Sequence, residues 1–166
     1  MAERKPLDFD PIEEASRQWA ERWEAVPQMR AVTSIMRVHQ LLLGVLDDLL
    51  KPYGLTFARY EALVLLTFSR HGSLPLGKMG ERLQVHPTSV TSIVQRLETG
   101  GFVVRAKHPE DGRAVLAEIT PAGRAVVEAA TRDLTTAEFG LDALSDAGLQ
   151  EVFDLLLPVR RAAGDF

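Results

Sequence analysis

The stretch HPTSVTSIVQRLETGG, residues 86–101, decides the fold that we predict for this 166-residue chain. Proline stands where a helix begins, and the Gly100-Gly101 pair is a strong C-terminal stop. We therefore predict a helix from Pro87 to about Thr99. Apolar residues recur at intervals of three and four on its inner side: Val90, Ile93, Val94 and Leu97. Its outer side carries Thr88, Ser89, Thr91, Ser92, Gln95 and Arg96.

The outer side of this helix has the chemistry of a DNA-reading surface. Short hydroxyl side chains donate to phosphates or bases without steric cost, while Gln95 and Arg96 reach further, to adenine or guanine edges. A helix face that is only solvated usually carries Glu and Lys four residues apart. Here the first ten positions contain no acid, and Glu98 appears only near the end. We therefore favour contact with the major groove over a solvated face.

A β-hairpin is predicted directly after this helix. Strand patterns over Phe102–Lys107 and Arg113–Ile119 flank the turn sequence His108–Gly112, which has proline and glycine where a hairpin needs them. An arginine on such a wing can enter the narrow minor groove, where the potential is most negative, and Asp111 can hold the guanidinium of Arg113. The alternative is a surface salt bridge worth under about 1 kcal/mol. Beside a polar recognition helix, we favour the DNA interpretation.

Helical patterns flank this region on both sides. Asp10, Thr56 and Ser145 are the predicted N-caps of three of these helices, and His86 is the predicted cap of the Pro87–Thr99 helix. The predicted helices run from Pro11 toward Val26, from about Gln28 to Leu50, from Phe57 to about Ser69, from Leu74 to Gln84, from Thr120 to about Phe139, and from Ser145 through Leu156.

The order of these elements predicts a mainly α protein with a small β-hairpin wing. Residues 52–119 form a winged helix-turn-helix lobe that binds DNA in this interpretation. The Gln28–Leu50 pattern is apolar over more of its surface than one core can cover, so a second subunit is the simplest cover. We therefore expect the N-terminal helices of residues 1–51 and the C-terminal helices of residues 120–166 to form a dimerisation layer.

The composition is that of a globular chain, and its charges and residue types limit the classes of function that the protein can have. The net charge is −4, yet residues 57–113 carry eight Lys and Arg against five acids, so the middle is basic and the remainder acidic. This asymmetry is expected when one segment faces phosphate. There is no cysteine, and the four histidines stand singly without metal-ligand spacing. We predict neither an enzyme nor a metal site nor a cofactor.

The sequence also gives an expectation about cellular location. No stretch approaches the roughly 20 apolar residues needed to span a bilayer. The N-terminus, MAERKPLDFD, lacks the apolar core of a secretory signal. We expect a cytoplasmic protein without a membrane partner.

Three segments together resemble the MarR family of bacterial transcriptional regulators. They are TFARYEALVLL at 56–66, the helix HPTSVTSIVQRLETGGFV at 86–103 and the wing HPEDGRAVLAEITPAG at 108–123. The resemblance covers most of Ala31 to Ala130 in the family's order. It implies a homodimeric winged helix-turn-helix protein that binds a pseudo-palindromic operator in double-stranded DNA, usually as a repressor, at the bacterial nucleoid. It also implies a small aromatic or anionic effector that binds between the dimer layer and the DNA-binding lobe and lowers DNA affinity.

The resemblance assigns site residues by position. The six outer residues of the Pro87–Thr99 helix match the family's major-groove contacts. Asp111 and Arg113 match its wing pair, with Arg113 in the minor groove. Gly112 departs from the pattern, because many members carry another basic residue there, and we expect this wing to hold DNA more weakly. The phosphate contacts expected in addition are Arg59, Lys78, Arg105 and Lys107.

The sequence also offers residues for an effector pocket. Trp19 and Trp23 lie one helical turn apart on an N-terminal extension that looks like one in the family's urate-responsive branch. That branch's ligand-contacting residues do not align clearly here, so urate is not assigned. Packing in a core or interface is the alternative for the tryptophan pair, and also for His39. The predicted pocket set is Trp19, Trp23, Arg37, His39, Tyr60 and Glu61.

Two functions from other classes stay open on the sequence. A winged-helix module that binds proteins and has lost DNA binding would bind its partner without salt dependence. A small-molecule or metal-sensing dimer would retain its ligand when Arg96 and Arg113 are replaced. Salt dependence separates both from a DNA-binding regulator, because neutralising phosphates makes affinity fall steeply with salt.

Overall fold

The computed structural model of the protein describes residues 6–108 and 114–166. Its α-helices are α1 (Pro11–Ala20), α2 (Val26–Leu50), α3 (Phe57–Phe68), α4 (Leu76–Leu83), α5 (Pro87–Thr99), α6 (Pro121–Thr136) and α7 (Asp146–Ala162). Its strands are β1 (Ser73–Pro75), β2 (Val103–Lys107) and β3 (Val115–Ile119). Single 3₁₀ turns follow α2 at Lys51–Tyr53 and α6 at Glu138–Gly140. This is the mainly α fold with a β wing that the sequence predicts.

The sheet has three antiparallel strands in the order β1-β3-β2, one more than the predicted hairpin. The prediction that a helix begins at Leu74 is wrong, because Leu74 pairs with Ala117 at the edge of β3. Gly72, at a φ of +68°, turns the chain sharply after α3. Its carbonyl then accepts from the backbone N–H of Ile119 at 2.8 Å, which sets β1 against β3.

The helix N-termini follow the predicted caps in most places. Asp10 and Ser145 accept from the backbone of α1 and α7, and His86 Nδ1 accepts from the N–H of Thr88 at the start of α5. Thr56 is the N-cap residue of α3, as predicted, but its side chain accepts no capping hydrogen bond. Asp47, which projects from α2, accepts from the Phe57 N–H at 2.7 Å instead, so a tertiary contact satisfies this donor.

Two helix ends differ from the prediction. The helix α1 ends at Ala20, so Trp19 and Trp23 do not share it; Ala25, at a φ of 58°, then redirects the chain into α2. The helix α7 continues past Pro158 to Ala162. A proline inside a helix removes one backbone hydrogen bond, and here the helix continues without a break.

One apolar core joins the lobe to the helices on either side of it. Leu63 and Leu66 of α3 and Val94 of α5 are fully buried at its centre. Leu50 of α2 and Leu134 of α6 belong to the same core. The predicted terminal segments therefore share a core with the lobe. The assignment of DNA binding to the lobe and of dimerisation to the terminal segments stays a prediction.

The terminal helices leave large apolar surfaces uncovered within one chain. None of the residues of α7, all of which the structure describes, is buried. Exposed apolar side chains on α2 and α7 are Val32, Ile35, Met36, Val38, Leu41, Val45, Val152, Phe153, Leu155 and Val159. In the described part of the chain, no helix combines the length and the hydrophobicity that crossing a membrane requires.

Candidate nucleic-acid interface

The helix α5 is divided into a buried and an exposed side, as predicted. Val90, Val94 and Leu97 are buried against the core, and Ile93 is half-buried. The opposite side is exposed at every predicted contact position, namely Thr88, Ser89, Thr91, Ser92, Gln95 and Arg96. The buried side fixes the rotation of α5 about its axis, so the polar side is presented to solvent as one continuous surface.

The N-terminal turn of α5 is ordered by local hydrogen bonds. The Nδ1 atom of His86 lies 3.3 Å from the Thr88 backbone nitrogen and 3.1 Å from its hydroxyl oxygen. The Thr91 hydroxyl donates to the Pro87 carbonyl at 3.0 Å. The first turn of α5 therefore presents preorganised side chains to a ligand.

Most predicted phosphate contacts have partners within the chain. Lys78 lies 2.9 Å from the carboxylate of Glu81, and both side chains are largely exposed. Such a pair contributes little to stability, so the contact between Lys78 and Glu81 costs little to break. Arg59 donates to the Gly54 carbonyl at 3.4 Å. Lys107 is exposed at the end of β2.

Arg105 is placed differently from the other predicted phosphate contacts. It projects from β2 onto α5, where its Nε lies 3.3 Å from the Glu98 carboxylate. The same guanidinium donates to the Thr91 carbonyl at 3.4 Å. We name the three residues Thr91, Glu98 and Arg105 the wing brace, because they join the hairpin to α5.

The β2–β3 hairpin is described as far as His108 and again from Ala114. Lys107 pairs with Val115, and the His108 N–H donates to the Ala114 carbonyl at 3.1 Å. Asp111 and Arg113 lie outside the described residues. Their predicted roles in the minor groove stay predictions.

The T-P-A-G sequence at 120–123 joins the segment that follows α5 to the start of α6. We did not predict this contact. Thr120 caps α6 by accepting from Gly123, and its hydroxyl donates to the Gly101 carbonyl at 2.8 Å. The Thr120 N–H donates to the Phe102 carbonyl at 3.0 Å. A Cβ at Gly123 would overlap that carbonyl, so only glycine permits this approach. The glycine in this motif was the available sequence signal.

Two cavities contain members of the predicted effector set. The cavity between α3 and α6 has a volume of about 410 Å³ and includes Tyr60, whose hydroxyl lies 2.8 Å from that of Thr131. Its remaining lining residues are Val64, Thr67, Phe68, Val127, Glu128 and Arg132. A groove of about 360 Å³ between α1 and α2 includes Arg37.

The other members of the effector set do not line either of these two cavities. The rings of Trp19 and Trp23 pack together with centroids 4.8 Å apart, and the Trp19 indole donates to the Glu24 carbonyl at 2.8 Å. His39 is exposed on α2. Glu61 is exposed on α3, although partial desolvation raises the pKa of its carboxyl above the usual range. One chain thus distributes the six predicted residues over several places.

The buried and exposed sides of α5, the short α4 before it and the antiparallel wing after it define a winged helix-turn-helix protein. A family model described as MarR family matches residues 58–115. Sco5413, a MarR family transcriptional regulator from Streptomyces coelicolor, has 59% sequence identity and a TM-score of 0.81, over 86% of this chain and 99% of that chain. The chain belongs to the MarR family.

Other relatives agree with this assignment. The organic hydroperoxide resistance transcriptional regulator of Bacillus subtilis is 33% identical over 63% of this chain and 69% of its own length. Sco3205 of Streptomyces coelicolor, a MarR family regulator solved in complex with DNA, has the same fold, with a TM-score of 0.75 and 23% identity over 85% of this chain and 90% of that one. The chain spans about half the length (48%) of two mycobacterial regulators that it also matches.

Proposed function

We propose that this protein is a sequence-specific transcriptional regulator that binds a pseudo-palindromic operator as a homodimer, with α5 in the major groove. The observation that carries this proposal is the exposed, acid-free outer side of Pro87–Arg96, held in place by the buried side of the same helix. Short hydroxyls with Gln95 and Arg96 suit base edges and phosphates. The fold is shared with Sco3205, whose structure contains DNA.

The uncovered apolar surfaces support the homodimer. Helix α7 has no buried residue within one chain, and α2 exposes apolar side chains along much of its length. A symmetric partner that covers these surfaces orients two copies of α5 roughly 34 Å apart, which matches successive major grooves. In this proposal the terminal segments dimerise, and residues 52–119 bind DNA.

The cavity between α3 and α6 is the proposed effector site. Val64, Phe68 and Val127 provide apolar contacts, while Tyr60, Arg132 and Glu128 provide a hydroxyl and two opposite charges, a lining suited to a small aromatic molecule with polar groups. Because α6 belongs to the dimer layer and α3 to the lobe, a ligand here changes the spacing of the two α5 helices if it binds one spacing better. Such a ligand releases a repressor from its operator.

The proposal places this protein among cytoplasmic bacterial regulators and not among enzymes. It does not require a cofactor or a metal. Its chemistry is reversible contact with DNA and with an effector.

Operator selection followed by titration tests this function. Genomic fragments retained by the purified protein are sequenced, and one enriched duplex is titrated by fluorescence anisotropy over a range of salt concentrations. We expect Arg96→Ala to weaken binding by about 1–3 kcal/mol, and log affinity to fall linearly with log salt. Arg17→Ala on α1 is the matched control, because Arg17 is an exposed arginine in a surface ion pair.

Two results would contradict the proposal. One is that no fragment is enriched over random sequence. The other is that binding is independent of salt and indifferent to Arg96→Ala, which favours a protein-interaction module.

A further inference from the structure

Arg105 stands beside the proposed DNA surface but is occupied within the protein. Its guanidinium meets the Glu98 carboxylate through Nε at 3.3 Å and the Thr91 carbonyl at 3.4 Å. Glu98 and Thr91 lie seven residues apart, which is two turns along the same side of α5. The arginine side chain therefore lies along the recognition helix instead of pointing away from it.

Arg105 lies at a position in the hairpin where a contact with α5 restrains the orientation of the wing. Arg105 pairs with Ala117 in the middle of the β2–β3 ladder, two residues before β2 ends at Lys107. Val103 and Ile119, the first pair of the ladder, are buried in the core together with Ala117, whereas Val104 and Val115 are exposed. The wing brace therefore joins the exposed face of the hairpin, at the middle of its ladder, to α5.

We propose that Arg105 is a positioning residue that fixes the angle of the wing against the recognition helix, and that it does not neutralise a phosphate. The Glu98 carboxylate and the Thr91 carbonyl together hold the guanidinium along α5, so that it is directed at the protein and not at a phosphate. A wing held at one angle loses less conformational freedom on binding than a wing that swings. The inference rests on the proposed DNA-binding function, since its benefit is realised when the wing meets a duplex.

Three variants separate positioning from phosphate contact. Arg105→Gln removes the brace and is expected to weaken operator binding by up to about fivefold, the upper range for an exposed ion pair. Arg105→Lys keeps the charge but loses the planar fork that reaches two acceptors, so we expect it to behave like Arg105→Gln. Glu98→Gln removes the partner, and in that background Arg105→Gln is expected to have no further effect.

The salt dependence is the second readout. We expect the slope of log affinity against log salt to stay unchanged in both Arg105 variants. Lys107→Gln, on the same strand, is the matched control for a phosphate contact and is expected to lower the slope by about 1.8, which is about 0.9 for each of the two copies in the dimer. Thermal unfolding of each variant checks that the fold is intact.

The opposite pattern would overturn the inference. If Arg105→Lys binds like the wild type while Arg105→Gln lowers the slope by about 1.8, Arg105 is a phosphate contact in both copies. If neither variant changes affinity, the brace has no role in binding. A wild-type protein that binds no duplex refutes the proposed function instead.

A measurement without DNA tests the brace by itself. In the ¹H–¹⁵N spectrum of the free protein, we expect a distinct Arg105 Nε–H signal that moves to the position of a solvated arginine in Glu98→Gln. A signal that is already solvent-like in the wild type contradicts the brace, whatever the protein does with DNA.

Discussion

Replacing Phe153 by alanine tests the dimer layer on its own. Phe153 lies on α7 among apolar residues that cover more than half of the helix circumference, and 54% of its surface is exposed in one chain. Burying a phenylalanine completely is worth about 1.5–3 kcal/mol, so burying the exposed part is worth about 0.8–1.6 kcal/mol. A two-fold interface contains the residue twice, which gives about 1.6–3.2 kcal/mol for the dimer. We therefore expect Phe153→Ala to raise the dimer dissociation constant by about 15- to 200-fold.

Sedimentation velocity over a dilution series measures this change. Since α7 contributes no buried residue to a single chain, the variant is expected to keep the helical content and the lobe of the wild type. Glu151→Ala, on the polar side of the same helix, is the matched control and is expected to dimerise normally. A dissociation constant for Phe153→Ala that equals that of Glu151→Ala would refute the assignment of α7 to the dimer interface.

Three further predictions concern the wing, the T-P-A-G turn and α3. Arg113→Ala is expected to weaken operator binding by about 1–3 kcal/mol in a gel-shift titration, and unchanged affinity would remove Arg113 from the minor groove. Gly123→Ala is expected to lower the free energy of unfolding in urea by about 1–3 kcal/mol, because its Cβ overlaps the Phe102 carbonyl; Gly77→Ala, which meets open space, is the control, and equal effects would contradict the close approach. Desolvation raises the pKa of Glu61 in the folded state. The ionised carboxylate therefore lowers the stability of the fold at pH values above this pKa, and this loss of stability disappears below the pKa of the unfolded chain. Glu61→Gln is therefore expected to raise stability at neutral pH but not at about pH 4, and an equal gain at both would show a cause other than ionisation.

The elements that the sequence predicts well are those whose signal is local. Apolar residues at intervals of three and four fix which side of α5 is buried, and the cap at His86 and the stop at Gly100 fix its ends. The same local reasoning fails for β1. Three residues are too few to show an alternating apolar pattern. They form a strand because they pair with the free edge of β3, which lies more than forty residues away in the sequence.

The site shows the same division between local and tertiary causes. The exposed side of α5 follows from helix geometry, so all six predicted contact positions are exposed. The wing brace depends on how β2 crosses α5, which the sequence does not show. In the sequence alone, Glu98 is only an acidic residue near the end of a helix. The bond from the Phe57 N–H to Asp47 of α2 is a tertiary contact of the same kind, with no local signal in the sequence.

Guanine N7 reactivity in the major groove tests most directly whether α5 reads DNA. Dimethyl sulfate methylates this atom, which points into the major groove. On a selected operator, we expect protection in two patches centred about 10 base pairs apart on one side of the duplex, both lost in a Gln95→Ala, Arg96→Ala double variant. Full occupancy of the duplex with unaltered N7 reactivity, or with a single patch, would contradict a dimer that places α5 in successive major grooves.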